Sequence, residues 1–257
     1  MATKKITDNP IVGSVNTTDY IQINQGSSSK QVAVQKVVDI ASAAASTAAQ
    51  TALNPSVLDG VFIMYHRKSD NYPIVSTVAN WTALQTSGEI ADGVLVIQGG
   101  KHLVIAPTET SKYWSSSAVL VGAAVTDRVV ALNDWNGKTL TSAIVANATL
   151  AADGDGFAPG WAHAYSRSNA NGQGLTAGKW WLPSAGELAF IMANYNRINK
   201  ALAVITGANQ LQGGAYWSST ELSATRAWNL SLGNGYLYDG TKVSNLYAVR
   251  AVSAFIS

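Results

Sequence analysis

The sequence predicts a mixed α+β protein, with short strands, two helices and long ordered loops, preceded by an extended arm and an Ala-rich helix. Three observations carry this expectation. Short apolar runs bounded by Gly and Asn recur from Val61 to the C-terminal region, the pattern of strands joined by tight turns. A helical periodicity opens at Ser184, where Ser184-Ala185-Gly186-Glu187 has capping-box spacing. Before residue 57 the composition is first too polar and then too Ala-rich for a packed core.

Residues 1–30 are rich in Thr, Ser, Asn, Gln and Asp, with isolated apolar pairs such as Ile11-Val12, and read as an extended arm that orders on a partner. In residues 31–55, Val34, Val38, Ala41, Ala45, Ala48 and Ala52 step by four and three, a heptad seam. Small Ala layers bury little, so a lone helix would be marginal and an oligomeric bundle is expected. The alternative is an amphipathic helix lying on its own domain. Asn54-Pro55 ends the segment, because the residue before proline is pushed out of the α region.

Residues 56–257 form the globular part. Val61 to Tyr65, Val94 to Gln98 and His102 to Ala106 are predicted strands, the last two joined by a hairpin at Gly99-Gly100-Lys101. Thr139 to Leu150 is a predicted short helix. The helix opening at Ser184 carries Leu188, Ile191, Tyr195, Ile198, Leu202 and Ile205 on one face, and Gly207 closes it. Ala215 to Ser219, Ala227 to Leu232, Tyr236 to Tyr238 and Ala248 to Phe255 are further predicted strands, with turns at Gly233-Asn234-Gly235 and Asp239-Gly240.

Composition excludes several functions. The chain has 257 residues, 17 Lys+Arg, 15 Asp+Glu, three His and no Cys. A net charge of +2 without a basic cluster gives no footprint for nucleic acid. Without cysteine there are no disulfides, thiolate nucleophiles or Cys-based zinc sites. Lys4 and Lys5 precede no apolar core, so no signal peptide is expected and the chain is made in a cytoplasm. Ala118 to Val125, the longest apolar run, is far short of the roughly 18 residues that span a bilayer, so no membrane insertion is expected.

The candidate reactive residues point the same way. His66, His102 and His163 lie in no nucleophile or metal motif. Asp153-Gly154-Asp155-Gly156 resembles the opening of a calcium loop but lacks the later ligands, so a plain turn is expected, with no metal and no cofactor. Trp180 and Trp181 would suit a sugar-stacking platform, yet neighbours in a strand point to opposite faces, which places at least one in the core. Glu187 is explained by its cap and Glu221 follows a strand, leaving no glycosidase pair. A non-enzyme is expected.

The series Trp180-Trp181-Leu182-Pro183-Ser184-Ala185-Gly186-Glu187-Leu188, Tyr216-Trp217-Ser218-Ser219-Thr220-Glu221, Ala227-Trp228, Gly235 and Val249-Arg250-Ala251-Val252 resembles the C-type-lectin-like variable proteins of diversity-generating retroelements. The match covers residues 90–257; residues 1–50 separately resemble the attachment stubs of phage fibre proteins. The resemblance implies a C-type lectin-like fold whose segment between the second and last motifs contacts a receptor. Its implied binding residues are Leu222, Ser223, Ala224, Thr225, Arg226, Asn229, Ser231, Tyr236, Tyr238, Asp239, Thr241, Val243, Ser244, Asn245, Leu246 and Tyr247, all expected to be exposed. Tyr with Ser, Gly and Asn is also the composition of paratopes.

Two departures stand out. Ala248 stands where many relatives carry a second Arg, and the related formylglycine-generating enzymes need catalytic cysteines that this chain lacks. The implied function is a phage fibre protein on the virion surface, docked to other virion proteins through residues 1–30 and binding a host surface protein or glycan. A trimer is favoured by analogy with other fibres, and a dimer is compatible. A structural capsid or head-fibre decoration protein is the alternative; a polysaccharide hydrolase would rest only on scattered acids and aromatics.

Overall fold

The computed structural model describes residues 20–25, 28–33 and 59–254. The chain divides into two units, Met1–Asn54 and Pro55–Ser257. In the first, β1 (Tyr20–Gln25) and β2 (Ser28–Ala33) pair antiparallel, with Tyr20 opposite Ala33 and Gln25 opposite Ser28. This corrects two expectations: the arm ends in a hairpin, and Gln31 to Ala33 are strand rather than the start of the Ala-rich helix. The alternation Tyr20-Ile21-Gln22-Ile23 has period two, and strand pairing satisfies backbone polar groups. The expected seam residues Val34, Val38, Ala41, Ala45, Ala48 and Ala52 lie outside the described residues.

The second unit is α+β. An antiparallel six-stranded sheet has the order β4-β3-β5-β6-β13-β8, from β3 (Gly60–His66), β4 (Pro73–Thr77), β5 (Ala91–Gln98), β6 (Lys101–Ile105), β8 (Trp180–Trp181) and β13 (Val252–Ser253). A second sheet has the order β11-β10-β9-β12-β7, from β7 (Thr110–Lys112), β9 (Ala215–Glu221), β10 (Arg226–Ser231), β11 (Leu237–Thr241) and β12 (Tyr247–Val249). Its pairs are antiparallel except β9 with β12. β5 is buried along Ala91 to Ile97, so it reads as an apolar run rather than an alternation. The β5–β6 hairpin turns on Gly99 and Gly100, both at positive φ, while Lys101 already pairs with Gln98.

The expectation of two helices in this unit is corrected to six among the described residues: α1 (Val78–Thr86), α2 (Arg128–Leu132), α3 (Gly137–Ala146), α4 (Ala158–Ala164), α5 (Ala185–Ala193) and α6 (Tyr195–Leu202), with a 3₁₀ turn at Ala151–Gly156. Helices such as α2 and α4 span two turns or fewer, too little for a periodicity to register. The long helix expected after Ser184 is two, because Asn194 leaves helical geometry (φ −111°, ψ 10°) and its amide donates to Gln98 Oε1 and to the Phe190 carbonyl. The break lets α5 pack on β9 and β10 while α6 packs on β3 and β5. Leu188 and Ile191 of α5, and Ile198 and Leu202 of α6, thus share one core with Ile63, Val94, Ile105 and Leu230.

The predicted strand Ala248 to Phe255 is also divided, with β12 and β13 in different sheets. Arg250 makes the crossing: buried, it donates to Glu109 Oε2 (2.6 Å) and to the carbonyls of Ala106 (3.0 Å) and Asn209 (3.0 Å). Asp239-Gly240, expected as a turn, lies inside β11, and Tyr236 precedes that strand instead of opening it. Across the other sheet, His66 Nδ1 lies 2.6 Å from Asp92 Oδ2, and Asp92 Oδ1 accepts from the Leu175 amide. Burial, more than His66 counteracts, raises the Asp92 carboxyl above its ordinary range. Among the described residues no helix is long and apolar enough to cross a membrane.

Candidate binding face on the C-terminal sheet

Apart from Gly235, the motif residues are interior. Trp180 and Trp181 are both buried, which leaves no exposed stacking platform there: Trp180 Nε1 donates to the Leu175 carbonyl and Trp181 Nε1 to Glu187 Oε2. Ser184 and Glu187 complete the capping box, the Ser184 amide donating to Glu187 Oε2 (2.8 Å) and the Glu187 amide to Ser184 Oγ (3.4 Å). Burial pushes the Glu187 carboxyl up to about 7 despite these donors. Ser184 Oγ donates to the Asp134 carbonyl, and Thr220 Oγ1 to Asp134 Oδ2, so α5 and β9 are held to one loop.

β9 continues this pattern. Tyr216 donates to Glu109 Oε2 (2.7 Å), the same oxygen that Arg250 binds, and burial followed by that bond raises its phenol above the ordinary value. Trp217 Nε1 donates to the Lys112 carbonyl, Ser218 Oγ to the Trp228 carbonyl, and Trp228 Nε1 to the Val125 carbonyl. Glu221 is the last residue of β9 and is buried, where it accepts from Lys242 Nζ (2.5 Å) and from the amides of Val121 (3.1 Å) and Gly122 (2.6 Å). Lys242 also donates to the Val119 carbonyl and sits 4.3 Å from the Trp114 ring centroid. Burial lowers the Lys242 ammonium below the ordinary lysine value against the pull of Glu221. This ion pair roots the 241–247 turn.

Side chains alternate across a sheet, so the register decides what the face displays. Asn229 lies opposite both Trp217 and Tyr238, placing these three on one side, and Gly240 on the same side leaves room for rings. A Cβ at Gly240 would come within 2.6 Å of both Trp217 and Tyr247, whose ring centroids are 4.6 Å apart. Tyr236 packs on Tyr238 at 5.9 Å, and they are 62% and 46% exposed. An Arg226–Asp239 ion pair bridges β10 and β11 at the rim. β11 is an edge strand of the sheet. Gly240→Val should push Tyr247 off Trp217 and cost about 1–3 kcal/mol, seen as a lower thermal midpoint and a changed near-UV aromatic signal. An unaltered midpoint would refute the packing argument.

The expected site is brought together only in part. Thr225, Arg226, Tyr236, Tyr238, Val243, Ser244 and Leu246 are exposed, whereas Leu222, Ser223, Ala224, Ser231, Asp239, Thr241, Asn245 and Tyr247 are half-buried. Asn229 corrects the expectation outright. It is 1% exposed because β10 lies between two partner strands, and its Nδ2 has no hydrogen-bond partner. Ser223 and Asn245 shape turns: Ser223 Oγ accepts from the Thr225 and Arg226 amides, and Asn245 Oδ1 from the Thr241 amide. Sequence reasoning missed Lys242 and Glu109. Their only signal was charge in a chain where 12% of residues are charged.

No protein-family model matches this sequence, and no curated protein matches it. Among solved structures, a fimbrial protein from Bacteroides ovatus is similar at 16% identity and a TM-score of 0.41, over 59% of this chain and 35% of that one. The chain therefore spans about a third of that protein's solved length.

Proposed function

We propose that this chain is a non-catalytic phage fibre protein on the virion surface, whose C-type lectin-like unit binds a host surface protein or glycan. The observation that carries the reading is the tyrosine face: Tyr236 and Tyr238 stand exposed beside half-buried Tyr247 on a sheet anchored by two buried ion pairs. Rigid aromatics offer large contact area at low entropy cost, and an anchored scaffold keeps them presented. Residues 1–30 dock to other virion proteins and the seam at 34–52 assembles the oligomer, a trimer for preference, so that weak sites add up to avidity. The resemblance of residues 1–50 to fibre stubs and of residues 90–257 to lectin-like variable domains supports this order of parts.

The test is adsorption of the full-length protein to host-type bacterial cells. Replacing Tyr236, Tyr238 and Tyr247 together by Ser should weaken adsorption roughly a hundredfold or more, at upwards of 1 kcal/mol for each aromatic anchor. Incorporation into particles should be unchanged. Normal adsorption by a folded triple variant would overturn the receptor reading and leave a structural decoration protein.

A further inference from the structure

A cleft of about 200 Å³ lies between α3, the 3₁₀ turn and α4. Its walls are Ile144, Leu150, Phe157 and Pro159, and Trp114 lies at its base. The walls are held in place. Trp114 Nε1 donates to the Ser218 carbonyl (2.8 Å) and the Trp114 amide to that of Lys242 (2.9 Å), while the Ala158 amide donates to the Tyr113 carbonyl (2.9 Å). Gly160 lets the 3₁₀ turn close against α4: a Cβ there would lie 1.7 Å from the Gly154 carbonyl oxygen, and Gly154 itself turns at φ +53°. The hollow is thus framed by backbone contacts.

The polar side chains lining it are Ser115, Asp153, Asp155 and His163, and its formal charges are the two carboxylates. Asp153 and Asp155 line the cleft with His163, no Lys or Arg does, and neither carboxylate has an ion-pair partner among the described residues. Asp153 Oδ2 accepts the Ser116 amide at 3.0 Å. In a chain of net charge +2 this is a local negative mouth over an apolar interior, and a cleft lined by one sign of charge concentrates the opposite ion. Among the described residues no three His, Asp or Glu side chains converge to hold a metal. The apolar walls suit an organic ion, and a cavity of about 150 Å³ already takes benzene.

We propose that this cleft binds a small organic cation, an ammonium carried on an apolar body the size of one ring, with the ring between Ile144, Leu150 and Phe157 and the charge at Asp153 and Asp155. The site is separate from the receptor reading. It touches that reading through Trp114, whose ring also faces the Lys242 ammonium, and through Ser115, whose amide donates to the Lys242 carbonyl.

The test uses the full-length chain with three probes of one shape: phenethylammonium, 2-phenylethanol and 3-phenylpropionate, followed by saturation-transfer NMR and calorimetric titration. Phenethylammonium should bind saturably at one site, roughly tenfold or more tighter than the alcohol, a difference of about 1.4 kcal/mol, and the anion should bind weakest. Asp153→Asn with Asp155→Asn, both at the protein surface, should erase the preference for the cation while the alcohol still binds. Val145→Trp, filling the cleft, should abolish binding of all three. No saturable binding of phenethylammonium, equal binding of the three probes, or an undiminished preference in the double Asn variant would each overturn the proposal. So would full binding by folded Val145→Trp. Should that variant fail to fold, the double Asn variant still decides. Cell adsorption is not read in this experiment, so failure here leaves the tyrosine face untouched.

Discussion

Lys242→Met should destabilise the C-terminal unit by about 3–5 kcal/mol, because it leaves the Glu221 carboxylate buried without its counter-charge. Glu221 is 1% exposed and would keep only the amides of Val121 and Gly122 as donors. A domain of this size loses a few degrees of thermal midpoint per kcal/mol, so a fall on the order of 10 °C is expected. Removing both charges, as in Glu221→Leu with Lys242→Met, should recover most of the loss, since a buried pair replaced by apolar groups need not cost stability. The single variant should also weaken cell adsorption, because Lys242 ties the 241–247 turn to the Val119 carbonyl and to Glu221. A Lys242→Met protein melting within about 2 °C of the parent would mean the pair anchors nothing.

Glu187 should make stability fall as pH rises from about 4.5 to about 7. In the unfolded chain its carboxyl ionises near 4.5, whereas burial in the folded protein holds the proton until about 7. Between those values the folded state binds more protons, so raising pH favours unfolding. The contribution is complete below 4.5 and gone above 7, and it amounts to about 3 kcal/mol. Asp92 has a slope of the same sign, since burial raises its carboxyl too. Glu187→Gln isolates the effect, because glutamine can still serve the capping box but does not titrate. The difference in melting temperature between parent and variant should change across this window. Parallel pH profiles would show that Glu187 ionises at its ordinary value in the folded protein.

Several elements were legible from residue pattern alone. The β5–β6 hairpin was written in Gly99-Gly100, where positive φ at both positions admits little else. The capping box at Ser184 and Glu187 formed as its spacing requires. Where the reading failed, a distant contact had overridden a local signal. The periodicity from Leu188 to Ile205 has one apolar face, but the Asn194 amide finds Gln98 Oε1 and the helix breaks there. The Val249-Arg250-Ala251-Val252 run looks like one strand until Arg250 meets Glu109.

The candidate site divides along the same line. Sequence by itself determined which residue types crowd residues 222–247, the tyrosines among small polar residues, and that cysteine chemistry is absent. Only the tertiary structure decided which of them face outward. Asn229 and Tyr238 are both polar residues in predicted strands, yet pairing on both sides buries Asn229 while the edge position of β11 leaves Tyr238 open. The same holds for Lys242, which binds a carbonyl over a hundred residues away, and for the cleft above Trp114, whose base is tied to the equally distant Ser218 carbonyl. Local propensity and periodicity act over a few residues, but burial and pairing depend on which strands become neighbours, and that order is set by the whole core.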